Sequence, residues 1–404
     1  MAVTVDLEEI VLNSAEVQSA INHLTSTAHG REKQRLSASA QKYFSGMRGS
    51  INAQALGFGQ EFAGMVVKFS FTDVQTSGLE DAAHLLKRGG SAIFSTHFSY
   101  FDVAVLPHIF GINDSAGVYY VAGENVAHVP VIGKYVEKLL RNSGAIFVKR
   151  NIAAEGRDGL LFHAVLQAYS SCLLSQGKNV LNFAGHGRHR TGEVELVAST
   201  ASPAIIRKAM GIIPVAVTYD VVPEDRMFAS STSRRRGGRS ILEAIKLIRW
   251  DKFYGTAYVN FGKSLEAAAY CNEAEDGKPL GKQALIRFHN DVTKSLIRLV
   301  TLTPVNALAV ILSSKNAAYP TMGDLAESAH DLVSRAVGAG MHVSQKLSDG
   351  GVEEAMRFAA EKLAKRGAVK YARGTFSIQQ PKLITHYSNT VRPTLNAFGV
   401  LAKN

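Results

Sequence analysis

Cysteine, tryptophan and proline are scarce: 404 residues contain two cysteines, one tryptophan and ten prolines. Cys172 and Cys271 alone cannot staple a disulfide scaffold or supply a multi-thiolate metal site, which points to a reducing compartment. Long apolar runs are also missing. The longest uncharged stretches are Gly159–Gly177 and Leu299–Ser314. His163, Gln167 and serines interrupt the first, and Pro304 and Asn306 the second, so neither reads as a transmembrane helix. Asp6, Glu8 and Glu9 stand near the start, where a secretory signal would carry basic residues, so none is expected there. Negative charge is in deficit, with 34 Asp+Glu against 45 Lys+Arg and a net charge of +11. Such a surplus suits nucleic acid, anionic lipid or phosphorylated small molecules. A hydrophobic content of 46% with 20% charged residues excludes a largely disordered chain, and the length allows two or three domains.

Three regions separate by pattern. Residues 1–80 read as helical: Asn13 or Ser14 can cap a helix through Val17, Ile21 and Leu24, and a second apolar segment spans Phe62–Phe71. From 81 to 265, short apolar β runs alternate with helices. The runs are Ser91–Thr96, Gly117–Val121, Gly144–Val148, Asn179–Phe183, Ile212–Thr218 and Thr256–Phe261. One intervening helix runs from about Gly159 to a stop at Gly177, and another has Ser202 as N-cap and Pro203 in its first turn. Apolar strands alternating with amphipathic helices imply an α/β fold, a mixed and mostly parallel sheet covered by helices, flanked by helical N- and C-terminal regions. Residues 266–404 return to helical spacing, with a small hairpin over Ala368–Ile378 turning at Arg373-Gly374.

Four clusters can carry chemistry. In His97-Phe98-Ser99-Tyr100-Phe101-Asp102, a histidine ends an apolar strand and an acid opens the next helix, so the turn can bring carboxylate to imidazole. A carboxylate on one ring nitrogen leaves the other free to take a proton from an alcohol. Ser99-x-x-Asp102 is also a capping box, a role compatible with the first. Gly144–Arg150 is a buried strand that delivers Lys149 and Arg150 at its carboxyl end, where α/β sheets place ligands. Asn182–Gly192 runs from a strand into a glycine-rich loop. There Gly187 and its neighbours admit close backbone approach, and Arg188 and Arg190 can grip phosphate oxygens. His186 and His189 in this loop lack nearby thiolates or a carboxylate run, so no metal is expected. Gly211–Asp220 is an apolar strand whose Pro214 and Val215 could wall an acyl tunnel.

In this order the four clusters resemble the four blocks of the glycerolipid acyltransferases, over about residues 80 to 400. The similarity is most specific to the glycerol-3-phosphate 1-O-acyltransferase branch. It is strengthened by Tyr219-Asp220-Val-Val-Pro223-Glu224, by Tyr258–Lys263, by Thr303–Leu308 and, more weakly, by His386-Tyr-Ser-Asn389. The resemblance implies transfer of a fatty acyl group from acyl-CoA or acyl carrier protein to glycerol 3-phosphate, without a cofactor. His97 would be the base and Asp102 its support; Lys149, Arg188 and Arg190 would bind the phosphate, with Arg150 as helper. One block departs from the family: Gly185-His186 stand in place of Glu-Gly, and His189 in place of Ser. His186 is then a candidate substitute hydrogen-bonding group. The departure keeps other acceptors in view, dihydroxyacetone phosphate or a lysophospholipid, as well as a degraded lipid-binding homologue. Arg234–Arg236 and Arg239 are candidate contacts to an anionic membrane. The protein is thus expected in the cytoplasm, peripherally on the inner face of the cell membrane. Nucleic acid is not expected, since the basic charge comes with neither a stacking run nor a recognition helix.

Overall fold

The computed structural model describes residues 6–25, 30–112, 117–124, 133–149, 156–185, 187–230, 246–271, 280–314, 320–349 and 351–401. Arg150, His186, Arg234–Arg236 and Arg239 lie outside them.

Among the described residues, seven strands form one sheet: β1 (Asp73–Ser77), β2 (Ala92–Ser95), β3 (Val118–Gly123), β4 (Ala145–Val148), β5 (Asn179–Phe183), β6 (Ile212–Tyr219) and β7 (Thr256–Phe261). Their spatial order is β1-β7-β6-β2-β5-β3-β4. Strands β2 to β6 are mutually parallel, and β7 reverses against β6. Five strands therefore end on one edge, where helix-start amides and loop residues converge. The β runs expected from sequence are all present. The sheet also begins earlier than expected, because β1 pairs with β7 from Asp73↔Thr256 onward. Its sequence, DVQTS, is polar and half-exposed, as suits an edge strand.

Alternation along the strands feeds two cores. Ala92, Phe94, Val180 and Ile212 face one side and Ile93, Leu181 and Ile213 the other. The first side is covered by α8 (Arg157–Ser175), whose outer surface carries α1 (Leu7–Leu12), α2 (Ala15–Thr25) and α3 (Gly30–Met47). The second is covered by α4 (Ala53–Ser70), α6 (Asp102–Ile112) and the later helices α12 (Pro304–Ser314), α15 (Val352–Lys365) and α16 (Pro381–Ala397). Residues of all three sequence regions share the second core, from Val66 to Val400. Helix α8 stops at Gly177 as expected, with a positive φ of 71°. Ser202 is the first residue of its helix (Ser202–Lys208) rather than the cap, a shift of one position. The hairpin forms with Arg373 and Gly374 at φ 53° and 81°, the two left-handed residues of a type I′ turn.

The C-terminal helices are tied to the sheet edge by a buried ion pair. Asp225, fully buried, lies 3.1 Å from Arg366 Nε and accepts from Tyr387 Oη at 2.5 Å. Burial pushes its carboxyl up to about 6, and Arg366 opposes the rise. Tyr387 Oη also accepts from the Val222 backbone N–H at 3.2 Å. Tyr387→Phe strands that amide and removes one donor from a buried carboxylate. An expected loss of about 1–3 kcal/mol follows, measured by denaturant unfolding; an unchanged midpoint would contradict the role given to this contact.

Candidate active site

The site begins with Thr96, which follows β2. Its Oγ1 donates to Val217 O at 3.2 Å and accepts from Val217 N at 2.9 Å, pinning the strand end to β6. His97 comes next, its carbonyl accepting from the His189 backbone N–H at 2.7 Å. The residue is thereby fixed between β6 and the loop that leaves β5. Its ring stacks on Phe183, the last residue of β5, at 4.4 Å between centroids.

Asp102 opens α6 and is fully buried. Its Oδ2 sits 2.9 Å from His97 Nδ1 and accepts from the Ser99 backbone N–H at 3.0 Å; its Oδ1 accepts from Tyr219 Oη at 2.5 Å. Three hydrogen bonds offset the cost of burying this carboxylate. A carboxylate can only accept, so Nδ1 carries the proton in the neutral ring and Nε2 presents its lone pair. The His97 side chain is 15% exposed, enough to meet a ligand. The capping and catalytic readings of Asp102 coexist, because one oxygen serves both Ser99 and His97.

A second buried carboxylate, Glu224, lies beside the first and was not singled out from sequence as a site residue. Its Oε2 accepts from Ser99 Oγ at 2.7 Å, and its Oε1 from the Tyr100 backbone N–H at 2.6 Å and Arg188 at 3.1 Å. The Arg188 guanidinium also lies 3.5 Å from the Tyr100 ring centroid. Burial pushes the Glu224 carboxyl up, and Arg188 pulls it back. Arg188 is therefore held rigidly, with its charge already offset by Glu224, rather than standing as a free cation. The signal for Glu224 was legible: Tyr219-Asp220-Val-Val-Pro223-Glu224-Asp225 packs three acids behind an apolar strand. All three are buried and each meets a cation from elsewhere: Lys346 on Asp220, Arg188 on Glu224, Arg366 on Asp225.

The remaining expected residues divide. Arg190 is exposed, and its backbone carbonyl accepts from His386 Nδ1 at 3.1 Å. A Cβ built on Gly187 would meet no described atom within 4 Å, so the loop has room beside it. Lys149 follows β4 on the same sheet edge, but three strand spacings from β2, about 14 Å. Its Nζ lies over the Tyr43 ring, 5.7 Å from the centroid. Pro214 and Val215, the candidate acyl-tunnel residues, are both buried in β6, paired with Phe94 and Ser95. The missing amide of Pro214 falls just before the ladder with β7, which starts at Val215. Among the described residues no cluster of His, Cys, Asp and Glu could hold a metal ion.

Residues 73–219 match the Acyltransferase family model. His97, Asp102, Arg188 and Tyr219 all lie within that matched stretch, at the carboxyl edge of its strands. The chain is similar to glycerol-3-phosphate acyltransferases of Aeromonas hydrophila (23% identical, covering 65% of this chain and 32% of the relative), Alteromonas mediterranea (24%; 81% and 41%) and Pseudomonas entomophila (29%; 54% and 28%). The matched stretches thus cover only 28–41% of the length of these curated relatives. Among solved structures it is similar to the 1-acyl-sn-glycerophosphate acyltransferase PlsC of Thermotoga maritima, at 13% identity and a TM-score of 0.35, covering 71% of this chain and 91% of that one. A likeness that weak carries no weight in the reading of the site.

Two buried histidines flank the loop. His189 is pushed down to about 3 by burial, helped by His97 and His386, and burial pushes His386 down to about 4. Their folded values lie below the ordinary value near 6.5, so the unfolded chain binds more protons in acid. The stability they contribute is complete above about pH 6.5 and is lost as pH falls, toward about 4 for His386 and about 3 for His189. His386→Gln is expected to flatten the wild-type loss over that window by up to about 1.4 kcal/mol per pH unit, read from denaturant midpoints. An identical slope in the variant would contradict the buried neutral state.

Proposed function

We propose that the chain transfers a fatty acyl group from acyl-CoA or acyl carrier protein to the sn-1 hydroxyl of glycerol 3-phosphate, yielding lysophosphatidate. The observation that carries this reading is the His97–Asp102–Tyr219 array at the edge where five parallel strands end. Nε2 of His97 takes the hydroxyl proton as the oxygen attacks the thioester carbonyl. The new C–O bond creates a tetrahedral oxyanion, the C–S bond breaks, and the thiolate leaves with the proton returned by His97. Asp102 holds the tautomer and stabilises the transient imidazolium. Arg188, oriented by Glu224 and Tyr100, presents its remaining N–H groups to the acceptor phosphate. Arg190, Lys149 and Arg150 supply further positive charge. Dihydroxyacetone phosphate and lysophospholipids are the competing acceptors. A degraded lipid-binding role is disfavoured by the intact base pair.

No described helix is long and apolar enough to cross a membrane. Docking on an anionic membrane, on the cytoplasmic face, is part of the proposal. It is supported by Phe58, Phe62 and Met65, a stripe on α4 that is 57%, 40% and 51% exposed, and by Trp250, 74% exposed and tilted at 45° to Phe69 with 4.2 Å between ring centroids. Exposed Lys68, Lys246 and Lys252 border these apolar side chains, while Glu61 interrupts them. Apolar wedges with interfacial tryptophan and lysine suit an anionic bilayer surface.

Purified protein is expected to release thiol from an acyl thioester only when glycerol 3-phosphate is added. His97→Ala is expected to lower that rate about 10²–10⁴-fold with unchanged circular dichroism. Absence of thiol release from either donor, or an unaffected variant, would overturn the reading. Faster turnover of dihydroxyacetone phosphate would reassign the acceptor. In a separate test, Trp250→Ala combined with Phe62→Ser is expected to reduce pelleting with phosphatidylglycerol vesicles; equal pelleting would remove this face as the docking surface.

A further inference from the structure

Two buried carboxylates, Asp102 and Glu224, meet at Ser99, which is itself fully buried. The Ser99 backbone N–H donates to Asp102 Oδ2 at 3.0 Å, and its hydroxyl donates to Glu224 Oε2 at 2.7 Å. The two acids serve different partners. Asp102 Oδ2 faces His97 Nδ1 at 2.9 Å, whereas Glu224 Oε1 accepts from Arg188 Nη1 at 3.1 Å. The backbone of one residue therefore supports the base, and its side chain supports the arginine. The hydroxyl is itself fixed in direction, because its oxygen also accepts from the Phe101 backbone N–H at 3.0 Å.

Its part in holding Arg188 follows from how Glu224 is held. The Tyr100 amide, at 2.6 Å, and Arg188 both meet Oε1, and among the described residues Oε2 accepts from Ser99 alone. Without the hydroxyl the carboxylate is fastened at one oxygen only, and the other is left buried without a donor. Arg188 depends on that anchor. Its side chain is 8% exposed, with the guanidinium 3.5 Å from the Tyr100 ring centroid and 5.3 Å from that of Phe228. The rings confine the cation, and Glu224 decides which N–H is spent on the protein and which are left for a ligand. We infer that Ser99 is a positioning residue for acceptor binding: its hydroxyl, through Glu224, aims Arg188 at the acceptor phosphate. Its amide, through Asp102, sets the base in register. This inference rests on the acceptor reading above and deepens it. One residue then fixes the span between the group that holds the phosphate and the group that takes the hydroxyl proton.

Ser99→Ala removes the hydroxyl and keeps the amide, and Ser99→Thr keeps both. Glycerol 3-phosphate and inorganic phosphate are titrated calorimetrically into wild type and each variant, which needs no turnover. The His97 ring is followed by its ¹⁵N resonances, and thiol release from palmitoyl-coenzyme A with glycerol 3-phosphate is measured in parallel. Ser99→Ala is expected to weaken both probes by the same factor, about ten- to hundredfold, the range for a hydrogen bond to a charged group. Its His97 tautomer is expected to match wild type, so that the kinetic loss falls on KM far more than on kcat. Ser99→Thr is expected to bind both probes close to wild type. A serine that merely supports the fold would disturb the His97 ring together with binding. That result, unchanged affinities in Ser99→Ala, or an equal loss in Ser99→Thr overturns the assignment. If wild type binds both probes and Ser99→Ala weakens them, but no thiol is released, the enzymatic reading alone is overturned. No binding of either probe to wild type overturns both.

Discussion

The site depends on one buried carboxylate. Asp102 lies in the protein interior, where an unpaired charge would be strongly unfavourable, and three donors, two from the loop after β2 and one from the end of β6, make it tolerable. Those donors also fix geometry. The Ser99 amide sets the start of α6, the Tyr219 hydroxyl joins that helix to the end of β6, and the His97 ring is left in one orientation with Nε2 outward. Burial strengthens each contact by lowering the local dielectric, so the feature that costs stability also holds the His97 ring in place.

The rest of the edge follows the same logic. Beyond β6 come Asp220, Glu224 and Asp225, all buried, and each is matched to a cation brought by a different part of the chain. Removing any one partner would leave an uncompensated interior charge, so the acids and cations enforce each other. Through Asp225 and the Val222 amide, α16 and the end of α15 hold the Glu224 segment. Through the Arg190 carbonyl, His386 holds the loop that carries Arg188. The C-terminal helices are thus a structural wall of the site, sharing the core that underlies the sheet. Glu224 then orients Arg188 while cancelling its charge, so Arg188 contributes directed N–H groups more than net attraction.

Much of this was legible in the residues. The β runs are apolar and bounded by turn formers, and alternation along them sends neighbours to opposite cores, as with Phe94 and Ile93. His97 and Asp102 were legible because only a local turn separates them. β1 was hidden because an edge strand need not be apolar. Glu224 stood in the sequence as one acid among three, but its role could not be read there. That role arises from a contact over 125 residues in sequence, from Ser99 to Glu224.

The direct test of the Asp102 constraint is the tautomer of His97, read from the ¹⁵N resonances of its ring in selectively labelled protein. The expected result is a neutral ring protonated at Nδ1 with a free lone pair at Nε2, and loss of that preference in Asp102→Asn. A neutral ring protonated at Nε2 in the wild-type protein would leave no lone pair to receive the acceptor's proton and would contradict the mechanism.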